Sequence, residues 1–326
     1  MRNEPNEFPV RLTYGVLGAG ALGGFYGGLM ARAGFDIHFL FHSDYAHVRE
    51  HGLRVDSKLG DFYLPKVNAY SSPAEMPPCD VLLIGLKSTQ NHLLRELITP
   101  IIHPKSIVLV LQNGLHVEQS AREILGPKRV AGGCCFLCSN KVGPGHIRHL
   151  DYGRIVFGPY RGIDGKDKGP DQGILEAIHR DMVASKIEAH LTDDLTTTKW
   201  KKLMWNIPFN GLSVLLNAST DAIMKDSDSR ALATRISEEV RQIACATGSP
   251  IDPSYVNWVI DHTDDMVPYD SSMRLDFNHG RPIEVEAIYG NALREAKRHA
   301  VHAPIVETMY QQLKFLAAHR SQLSKP

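Results

Sequence analysis

The stretch YGVLGAGALGGFYGGLMAR, residues 14–32, decides the fold of the first half of the chain. It starts with a short apolar run that predicts a buried strand. Gly18, Gly20 and Gly23 follow at the spacing G-x-G-x-x-G, before a helical pattern of small residues. Such a turn needs glycine for the tight bend, for close approach of the backbone to a pyrophosphate and for helix–strand packing. Because a second strand is predicted at residues 36–41, the context favours a dinucleotide-binding site over an isolated glycine turn.

Short apolar strands alternate with helical segments through the first half of the chain, which predicts a mostly parallel, doubly wound sheet. Buried strands are predicted at residues 80–86 and 106–111, and each ends in polar residues. Lys87 follows the first strand, and Gln112 and Asn113 follow the second. These side chains are therefore expected at the carboxyl edge of the sheet, where ligands of open α/β sheets bind.

An antiparallel extension of the sheet is predicted from residue 143 onward. Residues 146–150 and 154–157 have the pattern of two strands separated by a turn at Tyr152 and Gly153. From Asp193 the apolar periodicity is almost entirely helical. The predicted helices span residues 193–217, 229–247, 253–265, 284–299 and 303–319. We therefore predict a Rossmann-type α/β domain at residues 1–191 and an all-α domain at residues 192–326.

The composition is that of an ordinary folded protein, with 43% hydrophobic residues, 22% charged residues and a formal net charge of zero. Neither nucleic acid nor a membrane is expected as a partner, because there is no concentrated basic face and no apolar run near about 18 residues. The first ten residues predict a lead-in to the first strand rather than a signal peptide. The odd number of cysteines, five, then favours a reducing cytoplasm.

No metal site is expected from the cysteines or the histidines. Cys135 and Cys138 have the spacing C-x-x-C, but they lie in a predicted buried strand and no second such pair exists. The sixteen histidines include no pair at metal-binding spacing with acidic partners.

Lys202, Asn206 and Asn210 recur at every fourth residue and therefore share one face of a predicted helix. A lysine and two amides in one stripe suggest a polar cleft. The alternative is a solvated helix face, and Lys199 and Lys201, which lie off the stripe, indicate that this helix has one. Spacing alone leaves both interpretations open.

Further polar candidates for a functional site lie in residues 271–276 (SSMRLD) and 280–284 (GRPIE). Pro282 suits the first position of a helix, which would place Glu284 in the first helical turn. A carboxylate there either takes part in function or simply favours the helix dipole.

In this order and at these spacings, the motifs resemble the ketopantoate reductase (2-dehydropantoate 2-reductase) family from Tyr14 to about Ala318. The matching motifs are Gly18-Ala19-Gly20-Ala21-Leu22-Gly23, Leu86-Lys87, Gln112-Asn113-Gly114, Trp200 through Asn210, Ser271-Ser272-Met273 with Asp276, Glu284 and Gly290. The resemblance implies an NADPH-binding Rossmann domain, an all-helical second domain and an active site in the cleft between them. The implied reaction is reduction of a 2-oxo acid, with 2-dehydropantoate to pantoate in pantothenate and coenzyme A biosynthesis as the leading expectation.

The same resemblance implies a role for each matching residue. Lys202 would be the general acid that protonates the keto oxygen as hydride arrives. Asn206, Asn210 and Ser272 would bind the substrate, and Glu284 would bind its hydroxyl group. The cofactor would be held by Gly18, Ala19, Gly20, Ala21, Leu22, Gly23, Lys87 and Asn113.

One position departs from the family pattern. The arginine that usually follows the second strand and grips the 2′-phosphate of NADPH is replaced by His42, which Ser43 follows. NADPH stays the expected cofactor, with His42, Ser43 and Lys87 at the phosphate.

Two alternatives stay open. One is a reductase of the same fold that acts on a different 2-oxo acid, and the other is a non-catalytic protein that senses NADP(H). The expected partner is a small-molecule 2-oxo acid, and the sequence leaves open whether the chain forms a homodimer.

Overall fold

The computed structural model describes residues 11–266 and 270–323. They fall into two compact units. The first contains the chain up to Gln112 and Val117–Leu195, and the second contains Asn113–His116 and the chain from Thr196 onward. Residues 1–10, the predicted lead-in to the first strand, lie outside the described residues. The predicted domain division between residues 191 and 192 stays a prediction.

The first unit is built on a sheet that has ten strands within the described residues. They are β1 (Thr13–Leu17), β2 (Asp36–Leu40), β3 (Leu53–Ser57), β4 (Phe62–Leu64), β5 (Asn68–Tyr70), β6 (Val81–Ile84), β7 (Ile107–Val110), β8 (Val130–Gly143), β9 (His146–Pro159) and β10 (Ala189–Leu191). The strand order is β4-β3-β9-β8-β7-β6-β1-β2-β5, and β10 pairs with β9. The pairs β3–β4 and β8–β9 are antiparallel and the other pairs are parallel. This confirms the predicted mostly parallel sheet with an antiparallel extension.

Helices cover this sheet and supply much of its core. The α-helices of the first unit are α1 (Ala21–Arg32), α2 (Tyr45–His51), α3 (Leu94–Ile98), α4 (Gln119–Leu125) and α5 (Gln172–Ala184). Phe25 and Met30 of α1 belong to the same buried cluster as Phe39 of β2. The hydroxyl group of Tyr14, in β1, donates a hydrogen bond of 2.6 Å to Asp181 of α5, so the sheet and this helix are also joined by a polar contact.

The predicted turn at Tyr152 and Gly153 is wrong, because β9 runs through both residues as one strand paired with β8. The register shifts at this point. Phe136 pairs with Arg154 while Leu137 pairs with Tyr152, which leaves Gly153 as an extra residue in a β-bulge. Both residues have positive φ angles, 61° and 127°. A bulge and a turn therefore share the same local signal, and only strand pairing distinguishes them.

The second unit is helical, as predicted. Its α-helices are α6 (Leu195–Leu215, which begins at the last residue of the first unit), α7 (Thr220–Lys225), α8 (Ser227–Ala246), α9 (Ser254–Asp264), α10 (Ser272–Asn278), α11 (Asn291–Arg298) and α12 (Pro304–Leu323). A π-helix spans Glu286–Gly290 and leads directly into α11. The sequence prediction missed the short helices α7 and α10. Among the described residues, no helix is both long and apolar enough to cross a membrane.

Helix α6 contains Pro208, yet it continues without interruption. Proline has no N–H, so the carbonyl group of Met204, four residues earlier, loses its helical donor. The hydroxyl group of Ser237, in α8, donates a buried hydrogen bond of 2.7 Å to that carbonyl oxygen. The hydroxyl group of Tyr289 donates to the carbonyl oxygen of Ile207 at 2.8 Å. Neighbouring side chains thus satisfy the backbone around the proline.

We expect Ser237→Ala to destabilise the protein by about 1–3 kcal/mol, because the Met204 carbonyl is then buried without a donor. Urea unfolding would measure the change. In a Pro208→Ala background the carbonyl regains a helical N–H, so the same substitution should cost clearly less. Equal costs in both backgrounds would contradict this account of α6.

Candidate active site

The three motif glycines of the first unit are required for different reasons. Gly18 has a φ angle of +89°, and a Cβ atom there would lie 2.5 Å from the backbone nitrogen of Leu86. A Cβ atom at Gly23 would lie 2.4 Å from the carbonyl oxygen of Gly18. Both positions therefore exclude any larger residue because of the protein's own backbone.

Gly20 has no such reason within the described part of the chain. Its φ angle is −83°, which any residue adopts, and no atom lies within 4 Å of a Cβ atom built there. Gly20 also precedes the first turn of α1, which has neither a capping side chain nor an acidic residue among the described residues. An open backbone at a helix N-terminus suits an anionic group that approaches closely. The turn that contains Ala19, Ala21 and Leu22 therefore fits the pyrophosphate of a dinucleotide.

The predicted phosphate contacts His42 and Ser43 follow β2, and both are exposed. Asp44, the next residue, is buried and accepts hydrogen bonds from the Ser43 hydroxyl group at 3.0 Å and from the Lys141 ammonium group at 2.6 Å. Burial raises the pKa of Asp44, but the Lys141 contact and the N–H of Gly145 hold it below its ordinary value of 3.8. The acidic residue of this loop is therefore neutralised, and a cation that the sequence analysis missed lies beside Ser43.

Lys87 lies at the carboxyl edge of the sheet, as predicted, two residues after Gly85 and directly before a turn of 3-10 helix at Ser88–Leu93. The amide group of Gln112, at the end of the next strand, donates to the side chain of Asn91 at 2.7 Å. The polar segments that follow β6 and β7 are therefore in contact, as expected for two strands that are neighbours in the sheet.

In the second unit, the ammonium group of Lys202 donates a hydrogen bond of 2.7 Å to Oδ1 of Asn113. Lysine has three donors and no acceptor, so its contact must be the amide oxygen and the orientation of the Asn113 amide is fixed. Asn113 belongs to this unit although it directly follows the strand region of the first unit in the chain. The structure thus brings together two residues that the sequence placed in separate motifs.

Asn206 and Asn210 continue the stripe on α6 and are 5% and 1% exposed. Each side-chain amide carries two N–H donors and one acceptor oxygen. Two such groups on one largely buried helix face are suited to bind a polar ligand. The solvated-face interpretation of this stripe is wrong.

Lys199 is likewise not part of a solvated face. It is 5% exposed and donates to the carbonyl oxygen of Gly114 at 3.3 Å. Lys201 is exposed, with its ammonium group over the ring of Tyr255 at 5.3 Å from the centroid. Spacing in the sequence could not show that Lys199 is buried and Lys201 exposed, because the burial of Lys199 depends on a segment 85 residues away in the sequence.

Ser272 begins α10, and a chain of hydroxyl groups ties the start of this helix to α6. Ser271 caps the helix and contacts the hydroxyl group of Ser213 at 2.6 Å, and Ser213 donates to the carbonyl oxygen of Asn210 at 3.0 Å. Ser271, the residue before Ser272, is therefore linked through Ser213 to the backbone of Asn210 in the stripe.

Glu284 is buried at 5% exposure, but the prediction that Pro282 begins its helix is wrong. Residues 281–284 are not helical, and the helical conformation begins at Val285. The backbone carbonyl of Glu284 accepts from the N–H of Ile288, so Glu284 takes the N-cap position. Its carboxylate thus precedes the first turn instead of lying within it.

No group of three or more potential ligand side chains within the described residues is arranged to hold a metal ion. Cys134, Cys135 and Cys138 form no disulfide and are buried in β8.

A doubly wound sheet with a glycine turn at the start of α1, together with a helical unit that carries a half-buried lysine and two buried asparagines in one stripe, defines a two-unit oxidoreductase of the Rossmann type. Comparisons with known proteins specify this class further. Residues 14–162 match the family model described as ketopantoate reductase PanE/ApbA, and residues 194–317 match the model of its C-terminal part. The chain belongs to the ketopantoate reductase family.

Individual relatives support this assignment. A 2-dehydropantoate 2-reductase of Nostoc sp. is 49% identical over 303 residues, which cover 93% of this chain and 94% of the relative. The crystal structure of a 2-dehydropantoate 2-reductase from Geobacter metallireducens has a TM-score of 0.89 at 39% identity, covering 93% of this chain and 99% of that one. For a 2-dehydropantoate 2-reductase from Methylococcus capsulatus the TM-score is 0.84 at 31% identity, with 97% and 99% covered. The predicted family is confirmed.

The glycine turn gives a paired test of dinucleotide binding. Gly20→Ala should leave the melting temperature unchanged, because its methyl group meets no protein atom, but weaken NADPH binding at least about tenfold by obstructing the pyrophosphate. Gly23→Ala should instead destabilise the fold by about 1–3 kcal/mol, because its methyl group meets the backbone of Gly18. Thermal unfolding and NADPH fluorescence titration measure the two effects. Unaltered NADPH affinity of Gly20→Ala would exclude the pyrophosphate from this turn.

Proposed function

We propose that this protein catalyses the NADPH-dependent reduction of 2-dehydropantoate to pantoate. The observation that carries the proposal is the Lys202–Asn113 hydrogen bond at one end of a stripe that continues with two buried amides. The name of the 49% identical relative supports the choice of 2-dehydropantoate as substrate.

In this reaction Lys202 is the proton donor. The bound cofactor supplies a hydride to the keto carbon, and negative charge then develops on the keto oxygen. A nearby ammonium group stabilises that charge and delivers the proton that completes the alcohol. The amide oxygen of Asn113 is a neutral acceptor, so it orients Lys202 without cancelling its positive charge.

Three neutral side chains are proposed to bind the substrate carboxylate: Asn206, Asn210 and Ser272. Asn206 and Asn210 are 5% and 1% exposed, and each amide can donate two N–H groups to an anion. Neutral donors bind an anion without placing a second cation beside the proton donor. Glu284 is proposed to accept a hydrogen bond from the substrate hydroxyl group, which a buried carboxylate binds well.

The cofactor is proposed to lie on the glycine turn, with its pyrophosphate at Gly20 and the N-terminus of α1. His42 and Ser43 are proposed to contact the 2′-phosphate, together with Lys87, which follows β6. Asn113 is proposed to lie near the nicotinamide. Lys141 supports NADPH over NADH in this proposal, because it neutralises Asp44, the carboxylate nearest in sequence to these contacts. The cytoplasmic location and the homodimer stay predictions.

Lys202→Ala should lower kcat for 2-dehydropantoate by about two to four orders of magnitude, the usual contribution of a positioned general acid. NADPH binding should be unchanged, because the glycine turn belongs to the first unit. Stopped-flow NADPH oxidation at saturating substrate would measure kcat, and fluorescence titration would measure affinity.

Lys201→Ala is the matched control, because this neighbouring lysine is exposed and lies off the stripe. It should retain nearly full activity. A Lys202→Ala enzyme with more than about a tenth of wild-type turnover would exclude Lys202 as the general acid. The wild-type enzyme is also to be tested with a panel of 2-oxo acids. If it turns over another 2-oxo acid faster than 2-dehydropantoate, the substrate is reassigned and the proposed mechanism stays the same.

His42→Arg should lower KM for NADPH about three- to tenfold and leave KM for NADH nearly unchanged, because a guanidinium group pairs with a phosphate through two hydrogen bonds. His47→Arg adds the same charge at an exposed position in α2 and serves as the control. Equal changes for both cofactors, or for both variants, would place the 2′-phosphate elsewhere.

A further inference from the structure

Residues Asn113–His116 form a short segment that the helical unit holds on several sides; we name it the 113–116 segment. Its contacts involve side chains and backbone groups of four separate positions. They are Lys199 Nζ to Gly114 O at 3.3 Å, Leu115 N to Ala287 O at 3.0 Å, Asn291 Nδ2 to Leu115 O at 2.5 Å, and His116 Nε2 to Glu295 Oε1 at 3.3 Å. A segment without regular secondary structure is thus fixed at every residue after Asn113.

The backbone path of this segment leaves little room for displacement. Gly114 has a φ angle of +111°, and a Cβ atom there would lie 2.4 Å from the carbonyl oxygen of Ala287. Ala287 belongs to the π-helix, and its carbonyl oxygen accepts the N–H of Leu115. π-Helical turns leave backbone groups available for such external contacts and often occur at functional sites. The segment and the π-helix therefore define each other's position.

Lys199 is the unusual member of this set of contacts. Burial of an ammonium group is strongly unfavourable unless polar contacts compensate for the lost hydration. Lys199 lies three residues before Lys202 on α6, which is the spacing of neighbours on one side of a helix. Lys199 contacts the carbonyl group of Gly114, and Lys202 contacts the side chain of Asn113, so the two lysines hold adjacent residues of one segment.

We infer that Lys199 is a positioning residue for the proton donor, acting through the 113–116 segment. Its ammonium group fixes the Gly114 carbonyl, the fixed peptide sets the direction of the Asn113 side chain, and Asn113 Oδ1 then orients Lys202 Nζ. The inference rests on the proposed role of Lys202 and adds a second lysine that contacts neither substrate nor cofactor. Asn291 acts in the same way through the Leu115 carbonyl.

Lys199→Met should lower kcat about ten- to hundredfold, since displacement of a catalytic group by about 1 Å has effects of this size. KM for 2-dehydropantoate and the affinity for NADPH should change less than about twofold. Asn291→Ala, which removes no buried charge, should give the same split with a smaller loss and provides the test if Lys199→Met folds poorly. Turnover is to be normalised to NADPH-binding sites, so that misfolded protein is not counted.

A double-mutant cycle separates positioning from general damage. In an Asn113→Ala background the contact through which Lys199 acts on Lys202 is already gone, so adding Lys199→Met should cost less than about threefold in kcat. Glu239→Ala serves as the structural control, because it removes the hydrogen bonds that Glu239 of α8 accepts from the N–H groups of Ile305 and Val306 in α12, and it touches neither α6 nor the 113–116 segment. This control should lower stability and leave kcat unchanged.

Three outcomes would overturn the inference: wild-type kcat in both Lys199→Met and Asn291→Ala, an undiminished loss in the Asn113→Ala background, or a loss of the same size in Glu239→Ala. Lys202→Ala is to be measured in parallel. If it loses turnover while Lys199→Met does not, the proposed function stands and the positioning role fails. If Lys202→Ala stays active, the proposed function fails, and the positioning role fails with it because there is no proton donor to orient.

Discussion

The proposed function depends first on the hydrogen bond from Lys202 Nζ to Asn113 Oδ1. A lysine side chain has four rotatable bonds, so its ammonium group is placed only as well as its acceptor is placed. Here the acceptor lies on a short irregular segment, which without further contacts would be among the most mobile parts of a protein. The hydrogen bonds of Lys199, Ala287 and Asn291 to this segment convert it into a fixed support.

The chemical type of these contacts matters as much as their number. Lys202 and Lys199 both donate to neutral oxygen atoms, one of an amide and one of a peptide carbonyl. A carboxylate in either place would bind an ammonium group more strongly, but it would also repel a substrate anion and oppose the negative charge of the transition state. Neutral acceptors give orientation without this opposition. Carboxylates take part in other contacts, between His116 and Glu295 and between Lys141 and Asp44.

The sequence predicted the sheet and the family well, because strand alternation and glycine spacing are local signals. It failed where the outcome depends on distant pairing. The bulge at Gly153 has the local signature of a turn, and only pairing with β8 reveals it. The burial of Lys199 depends on Gly114, and the neutralisation of Asp44 depends on Lys141. The stripe of Lys202, Asn206 and Asn210 could be found from spacing, whereas its burial could not.

The stripe also gives a reason for the side-chain hydrogen bonds to the backbone of α6. Its three residues keep a fixed separation only if the helix between them is regular, and Pro208 lies between Asn206 and Asn210. A proline that leaves a carbonyl unpaired normally allows a helix to bend, because water or another group inserts at the gap. Ser237 occupies that role with fixed geometry at the carbonyl group of Met204, and Tyr289 holds the nearby carbonyl group of Ile207. The distance between the two buried amides is therefore set by side chains that lie outside the stripe, and the same π-helix that contributes Tyr289 also holds the segment that orients Lys202.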